Sequence, residues 1–435
     1  MIVVDPPGFP LPAPRFPPSR FDTLRTMKIF AGTFVVAALC FAAGRSLSAQ
    51  DKASFTVTLV PPVHGKVQLT PPLAADGKYP AGTVVTVTTT PDPGYALDSA
   101  WYSVPGRFGQ MYHEGMTRDF KVTIDQDKRI GASFIEEAAV KDLVVTNDIV
   151  YAKPGVKPLK YDVFAPKGAK NLPIVVIVHG GGWTANDEDV MRGLARELTK
   201  GGKFVVASMD YRWAGKADGD SSGNTMADLI GDVFGGIAHI MEHATQYGGD
   251  PTRIGVTGDS AGGHLSAAAS LMTNMIGSRG FGKAPGVFEF MPTYMPKGKT
   301  VEQVRDDLSK AIKAAAPSYG VFSAATLDPY SSDPAADQSW KEAIAPVSHI
   351  PPATERSVPQ FLTRGTRDPL ITDAMVKEFV DALVKAGQRA EYIQVGGASH
   401  AFFDWKPDDT TKATFAKYGV YYAAAMKTFF MSVLY

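Results

Sequence analysis

The stretch Gly258-Asp259-Ser260-Ala261-Gly262 decides the fold of the larger part of this chain. It follows the apolar run of residues 253–257 and precedes the small-residue run of residues 263–269, a pattern that predicts a strand, a tight turn and a helix. G-x-S-x-G in this setting is typical of a nucleophile elbow, whose glycines are needed because the turn leaves no room for a Cβ atom. From the pentapeptide alone, an ordinary glycine-rich turn stays open as the alternative.

A second glycine-rich loop, upstream of the elbow, favours the nucleophile interpretation. The apolar run of residues 173–178 ends in His179-Gly180-Gly181-Gly182-Trp183, and this HGGG pattern is typical of an oxyanion loop. Successive glycines let backbone N–H groups approach a developing oxyanion, and each such donor stabilises it by about 3 kcal/mol. We assign the N–H groups of Gly181, Gly182 and Ala261 to the oxyanion hole and expect His179 to be structural.

Two further predicted strands lead to an acid and a histidine. Residues 359–364 predict a strand that is followed by Asp368, and residues 390–395 predict the next strand, which is followed by His400. Both side chains would then lie on loops at the carboxyl edge of the sheet, beside the elbow, where α/β sheets bind and transform ligands. We predict that Ser260 is the nucleophile, His400 the general base and Asp368 the acid that orients the imidazole.

Five neighbouring residues are candidates for secondary roles. Asp259 adjoins Ser260 but has a poorer position than Asp368 for the acid, and Asp404 follows the histidine, outside the usual order of serine, acid and histidine. Trp183, Phe402 and Trp405 flank the loops and are predicted as substrate-binding walls for an aromatic or acyl group. Simple packing is the alternative for these three aromatic residues.

From about residue 140 to the C-terminus, the chain resembles α/β-hydrolases of the hormone-sensitive-lipase and carboxylesterase type, most of all the secreted feruloyl and acetylxylan esterases. The resemblance rests on the motifs above together with Asp210-Tyr211-Arg212 and residues 247–254. It implies a mostly parallel sheet flanked by helices and a serine carboxylic-ester hydrolase that forms an acyl-enzyme on acylated plant polysaccharide or aryl esters. Lipase-like relatives often continue Asp-Tyr-Arg with Leu-Ala-Pro-Glu, whereas this chain has Trp213-Ala214-Gly215-Lys216.

Other functions remain as alternatives at this point. Within the same class, the substrate could be a polyester or a lipid ester. A peptidase of the prolyl-oligopeptidase kind shares the order of the triad but normally carries a propeller domain, for which the first 137 residues are too short. A surface-binding protein with a vestigial hydrolase domain would have no use for both a complete triad and an oxyanion loop.

The preceding residues, 51–137, predict a small all-β domain. Short stretches of alternating polar and apolar residues are separated there by Pro and Gly clusters. Residues 79–87 and 129–134 resemble the bacterial surface β-repeat module, and residues 136–139 are the expected hinge. The domain is either a spacer or packing unit, or a glycan- or surface-contact unit, which Trp101, Tyr102 and Tyr112 would serve. In either case we expect the chain from Ala138 onward to fold by itself.

Residues from about 275 to 325 break the regular alternation of strands and helices. Aromatic residues and methionines are concentrated near residues 288–295, and a charged amphipathic stretch follows at residues 301–313. We interpret the segment as an insertion over the active site. The alternative is an exposed helical excursion that is remote from the site.

The first residues predict export. Residues 27–49 combine a lysine, a short apolar run and small residues, as a secretory signal peptide does, with Met27 as the true start, and residues 1–26 are interpreted as a non-native or disordered leader. We therefore expect a secreted or periplasmic protein without a membrane span in its mature chain. The single cysteine, Cys40, lies inside the expected signal peptide, so the mature chain could form no disulfide and no cysteine–metal site.

The composition argues against several kinds of partner. Lys+Arg and Asp+Glu are balanced at 44 each, and no basic stripe of the kind that nucleic-acid binding requires is visible. His239 and His243 are spaced to share one metal ion on a helix, but no third ligand is evident, and packing is favoured for both. We expect neither a metal nor another cofactor, and an ester substrate as the partner.

Overall fold

The computed structural model describes residues 53–106, 109–278, 290–327 and 338–435. The expected leader, the expected signal peptide and Cys40 lie outside these residues. Within them, no helix combines the length and apolarity that crossing a bilayer requires. Lys52–Tyr435 form one compact unit.

The first part of this unit is an all-β domain, which we call the β module. Its strands are β1 Ser54–Leu59, β2 Gly65–Thr70, β3 Lys78–Pro80, β4 Thr83–Pro91, β5 Tyr95–Gly106, β6 Gly109–Gly115, β7 Asp119–Ile124 and β8 Lys128–Glu136. They form two sheets, ordered β3-β1-β8-β5-β6 and β2-β4-β7. Alternate side chains such as Val85, Val87 and Val122 are buried between the sheets, since successive strand residues point to opposite faces. The predicted small β domain is present.

The second part, which we call the α/β domain, is built on one large sheet. Its strands are β9 Leu143–Ala152, β10 Leu159–Pro166, β11 Leu172–Val178, β12 Val205–Met209, β13 Gly249–Asp259, β14 Ile312–Ser318, β15 Gln360–Gly365 and β16 Ala390–Val395. Their order in the sheet is β16-β15-β14-β13-β11-β12-β10-β9. Strand β10 pairs antiparallel with both β9 and β12, and the other neighbouring strands of this sheet pair in parallel. This is the mostly parallel sheet of the predicted α/β-hydrolase fold.

Helices cover both faces of this sheet, as buried parallel strands require. They are α1 Arg192–Thr199, α2 Met226–His243, α3 Ala261–Leu271, α4 Val301–Ala311, α5 Ala324–Leu327, α6 Gln338–Ile344, α7 Asp373–Lys385, α8 Asp409–Thr414 and α9 Val420–Leu434. Three of them begin at a threonine whose hydroxyl accepts the backbone N–H three residues later, which satisfies one of the free donors of the first turn: Thr225, Thr300 and Thr372.

The second half of the expected insertion is an ordinary part of the sheet architecture, which corrects that prediction. Helix α4 is a crossover helix, and β14 after it lies between β13 and β15 in the middle of the sheet. Tyr294, near the start of this half, packs against His239 on α2 with ring centroids 4.6 Å apart. Residues 279–289 of the expected insertion lie outside the described residues.

Candidate active site

The turn at Ser260 has the geometry of a nucleophile elbow. Ser260 joins the end of β13 to the start of α3 with φ 52° and ψ −115°, a region that costs a non-glycine residue about 1–3 kcal/mol. The turn lies directly against the end of β11. A Cβ atom on Gly262 would be 2.0 Å from the carbonyl oxygen of Val178, and one on Gly258 would be 2.4 Å from the same oxygen. The two glycines are therefore fixed by close backbone contact.

The three residues predicted as a triad are hydrogen-bonded in sequence. Nε2 of His400 lies 2.9 Å from Oγ of Ser260, and Nδ1 of His400 lies 2.8 Å from Oδ2 of Asp368. The serine follows β13, the acid follows β15 and the histidine follows β16, so three parallel strands deliver them to one edge of the sheet. This arrangement can pass a proton from the hydroxyl to the imidazole and hold the resulting cation.

The carboxylate of Asp368 is held in place by the turn that carries it. Its Oδ1 accepts the N–H groups of Leu370 at 2.9 Å and Ile371 at 3.0 Å, while Oδ2 faces the histidine. Burial raises the pKa of Asp368, but the hydrogen bond and charge of His400 together with these two N–H groups bring it below its ordinary value. Asp368 is therefore ionised at neutral pH and can fix the imidazole with its Nδ1–H toward the acid.

The predicted oxyanion loop lies beside the serine hydroxyl. Gly181, Gly182 and Trp183 have positive φ angles of 124°, 60° and 60°, which turn successive peptide units along the loop. A Cβ atom on Gly181 would be 2.1 Å from the carbonyl oxygen of Ala185. The structure thus places Gly181, Gly182 and Ala261 around Ser260, where their N–H groups could meet an oxyanion.

Two buried aspartates support this loop from behind. Oδ1 of Asp259 accepts the N–H of Gly180 at 2.6 Å, and Oδ1 of Asp210 lies 3.1 Å from Nε2 of His179. His179 stacks on Tyr211 with ring centroids 4.3 Å apart, and its Nδ1 donates to the carbonyl of Gly180. His179 therefore holds the loop, as predicted, and Asp259 has the same kind of role.

The serine opens into a cavity of about 450 Å³. Apolar and polar side chains both line it. Its lining residues are Gly181, Gly182, Trp183, Asn186, Asp259, Ser260, Ala261, Tyr319, Val321, Leu370, Ile371, His400, Ala401, Asp404 and Lys406. Trp183 lines the cavity, and its role in substrate binding stays a prediction.

Phe402 and Trp405 do not line this cavity, which corrects their prediction as substrate-binding walls. Phe402 is fully buried in the core, where its ring contacts Tyr319 and Phe403. Trp405 points the other way, and its Nε1 donates to Oδ2 of Asp98 on the β module at 2.9 Å. Both residues follow the histidine in sequence, but the turn at Ala401, with φ 57°, sends them to other neighbours.

Asp404 is present in the cavity wall but is not bonded to the histidine. Its Oδ2 pairs with Lys406 at 3.2 Å, and its buried Oδ1 has no hydrogen-bond partner among the described residues. Asp368 is therefore the carboxylate that contacts His400, and the predicted order of serine, acid and histidine agrees with this geometry.

Tyr319 is a cavity residue that sequence reasoning missed. It follows β14 with φ 34°, is fully buried, and its ring lies 4.8 Å from that of His400. The missing signal was β14 itself, because its centre is the run Ala314-Ala315-Ala316, which lacks the β-branched residues typical of strands. With that strand recognised, the residue after it would be expected at the same sheet edge as Ser260.

The histidine pair on α2 is a packing contact. The rings of His239 and His243 stack with centroids 4.1 Å apart, and Nδ1 of His239 lies 3.0 Å from the hydroxyl of Tyr161. Burial, with the charge of His243, lowers the pKa of His239 to about 4. In the part of the chain that the structure describes, no three His, Cys, Asp or Glu side chains are grouped so that they could hold a metal ion.

Comparison with known proteins gives partial matches to esterases. Carboxylesterase NlhH of Mycobacterium tuberculosis is 37% identical over 127 residues, which are 29% of this chain and 36% of that protein. Esterase LipQ of the same organism is 27% identical over 278 residues, 59% of this chain and 57% of that protein. The chain thus spans about half, or less, of the length of these relatives. Esterase 2 of Thermogutta terrifontis, phosphoramylated by tabun, matches 63% of this chain and 92% of its own with 23% identity and a TM-score of 0.46.

Two family profiles match the two parts of the chain. Residues 55–138 match the divergent InlB B-repeat domain, which confirms the resemblance of the β module to bacterial surface repeats. Residues 161–383 match the BD-FAE profile, and this match covers half of the chain, including the oxyanion loop, Ser260 and Asp368. On this basis the chain belongs to the BD-FAE family.

Proposed function

We propose that the protein is a serine carboxylic-ester hydrolase that works through an acyl-enzyme. The observation that carries the proposal is the hydrogen-bonded chain from Ser260 through His400 to Asp368, open to a cavity and bordered by the glycine loop. Nucleophile, base and orienting acid lie within hydrogen-bonding reach of one another, which is the arrangement that activates a serine. The esterase names of the partial relatives support the same reaction class.

In the first half of the reaction, Oγ of Ser260 attacks the ester carbonyl while its proton passes to Nε2 of His400. The carbonyl oxygen becomes an oxyanion that accepts the N–H groups of Gly181, Gly182 and Ala261. The C–O bond then breaks, the alcohol leaves with the proton from His400, and the acyl group stays on the serine. A water molecule repeats these steps, which releases the acid and restores Ser260.

We propose that the cavity accepts a flat or short acyl group of the kind found in feruloyl and acetyl esters. Trp183, Val321, Leu370 and Ile371 give it apolar walls next to the serine, and burial of an aryl or acyl group against such walls contributes roughly 25 cal/mol per Å². We therefore propose acylated plant polysaccharide or aryl esters as substrates. Export of the protein to the periplasm or the medium, where such polymers are met, is part of the same proposal.

The test compares the full-length protein with Ser260→Ala on p-nitrophenyl acetate, methyl ferulate and acetylated xylan. Loss of the nucleophile should lower kcat by about 10⁶-fold and leave the far-ultraviolet circular dichroism spectrum unchanged. Mass spectrometry after incubation with an organophosphonate should place the adduct on Ser260 in the native protein only. Retention of more than about a thousandth of the native kcat in Ser260→Ala would overturn the proposed mechanism.

A further inference from the structure

A buried cluster of charged side chains joins the β module to the α/β domain, and we call it the interdomain clamp. Arg192 on α1 is fully buried; its Nε donates to Oδ1 of Asp98 at 3.1 Å, and the same guanidinium donates to Oγ of Ser99 at 3.1 Å and pairs with Glu114. Arg196 donates to Oδ1 of Asp98 at 2.8 Å. Two buried cations of the α/β domain therefore face two buried carboxylates of the β module.

Trp405 extends the clamp to the loop that carries the histidine. Its indole Nε1 donates to Oδ2 of Asp98 at 2.9 Å, and its backbone N–H donates to the carbonyl of Val190 at 2.9 Å. The next residue, Lys406, lines the cavity of the site. The segment that begins at His400 is thus tied at its far end to the β module.

Asp98 consequently binds both segments that hold the reacting groups. Arg192 lies at the end of the segment that follows the oxyanion loop, and Trp405 lies at the end of the histidine loop. The two segments touch at this point, since a Cβ atom on Gly193 would be 2.9 Å from the Trp405 side chain. One carboxylate is therefore bonded both to the segment that follows the oxyanion donors and to the segment that begins at the general base.

The negative charge of Asp98 strengthens its hydrogen bonds to the arginines and to the indole. Burial raises the pKa of Asp98, but Arg192 and Arg196 hold it well below the ordinary value of an aspartate, so the group is ionised. Hydrogen bonds to an ionised acceptor are shorter and about twice as strong as those between neutral groups. A neutral side chain at this position would hold the arginines and the indole less firmly.

We propose that Asp98 is a positioning residue for ester hydrolysis, and that the β module is a fixed part of the catalytic unit. The proposal rests on the proposed function and differs from the sequence-based expectation that the chain from Ala138 onward is self-sufficient. A displacement of about 1 Å between reacting groups costs on the order of 100-fold in rate. Loss of the link should therefore be visible on a small soluble ester, which needs no surface binding.

The test uses the full chain with Trp405→Phe, which removes the bond to Asp98 and keeps an aromatic ring on Phe415. The matched control is Ser133→Ala, which removes the hydrogen bond from Lys412 to the same module at 3.0 Å and keeps every hydrogen bond of Arg192 and Trp405. All rates are measured on p-nitrophenyl acetate, at a temperature well below the thermal unfolding midpoint of each variant. A second readout is the rate at which an organophosphonate modifies Ser260.

Trp405→Phe should lower kcat by about tenfold or more with KM changed less than twofold, and slow the phosphonate reaction in parallel. Ser133→Ala should keep both rates within about twofold of the native values. If Trp405→Phe does not fold, Asp98→Asn takes its place with the same expected result. A folded variant with native kcat would overturn the proposal, as would an equal loss in the control. A failure of the proposed function would instead appear as unchanged hydrolysis in Ser260→Ala.

Discussion

Oδ2 of Asp368 lies 2.8 Å from Nδ1 of His400, although the two residues are 32 positions apart and follow different strands. The contact arises because β15 and β16 pair in parallel register from Gln360 to Gly365, so their carboxyl ends lie side by side. The loop after each strand therefore brings its polar residue to the same place. A one-residue slip of this register would separate acid and base.

Asp368→Asn should leave the fold intact and lower kcat by about 10⁴-fold, because the imidazole loses the charge that sets its tautomer. Asp404→Asn is the matched control, since Asp404 lies in the same cavity wall but makes no bond to His400. Steady-state kinetics on p-nitrophenyl acetate measures both. Greater damage from Asp404→Asn would show that the wrong carboxylate has been assigned.

Gly262→Ala should destabilise the protein by more than about 3 kcal/mol, since the added methyl group would meet backbone and not a movable side chain. Gly396→Ala serves as the control, because a Cβ atom there meets nothing within 4 Å. Urea unfolding followed by circular dichroism gives both free energies. A native-like midpoint for Gly262→Ala would contradict the close packing of the elbow against β11.

Acidification should weaken the fold through His264. Burial lowers the pKa of this side chain to about 4, and its Nδ1 has no partner among the described residues while Nε2 donates to the carbonyl of Ile344. In the unfolded chain His264 is protonated below about pH 6.5, whereas in the folded chain it stays neutral down to about pH 4. The free energy of unfolding should therefore fall by up to about 3 kcal/mol as pH drops from 6.5 to 4 and then level off on this account.

His264→Gln isolates this contribution, since its amide can still donate to Ile344 but does not titrate. The difference in unfolding free energy between native protein and variant, measured by urea titration at several pH values, should shrink between pH 6.5 and 4. His239 titrates in the same window and remains in both proteins. A difference that stays constant with pH would count against a neutral, buried His264.

Tyr319→Phe should leave stability unchanged or slightly raised, because the buried Tyr319 hydroxyl has no hydrogen-bond partner among the described residues. Its ring contact with His400 would be kept, so kcat should stay within about twofold of the native value. Tyr422→Phe is the contrast: that hydroxyl lies 2.6 Å from Oγ of Ser318, and its loss should cost about 1 kcal/mol. Thermal unfolding and steady-state kinetics together show whether the Tyr319 hydroxyl takes part in the reaction: a large loss of kcat in Tyr319→Phe would mean that it acts on the substrate.

The geometry of the site could be predicted from the sequence because each polar group stands at or soon after the end of a strand: Ser260 directly after β13, Asp368 three residues after β15 and His400 five residues after β16. These strands are recognisable in the sequence, and parallel strands place the positions after them at one edge of the sheet. The oxyanion loop was equally readable, since Gly181 and Gly182 adopt positive φ angles that glycine accepts at little cost. These local rules do not depend on what the rest of the chain packs against.

The burial of Arg192 and the position of Trp405 depend on contacts between segments distant in sequence, which no local sequence pattern predicts. Arg192 lies on an amphipathic helix where an arginine is normally solvated, yet it is fully buried because the β module covers it. Trp405 was predicted as a cavity wall because it is near His400 in sequence, but its indole instead donates a hydrogen bond to Asp98 on the β module. Strand β14 was missed because its centre consists of buried alanines, which carry no strand signal of their own.

The bond between Asp98 and Trp405 spans 307 positions of the chain, and this has a consequence for biosynthesis. The β module leaves the ribosome before the α/β domain, and domains generally fold in the order of their synthesis. Asp98 and Glu114 then stay hydrated until α1 supplies the arginines and, later in synthesis, the histidine loop supplies the indole of Trp405. The module thus presents one half of a binding site for Arg192 and Trp405 before either residue has been synthesised, and the contact can close only after Trp405 has left the ribosome.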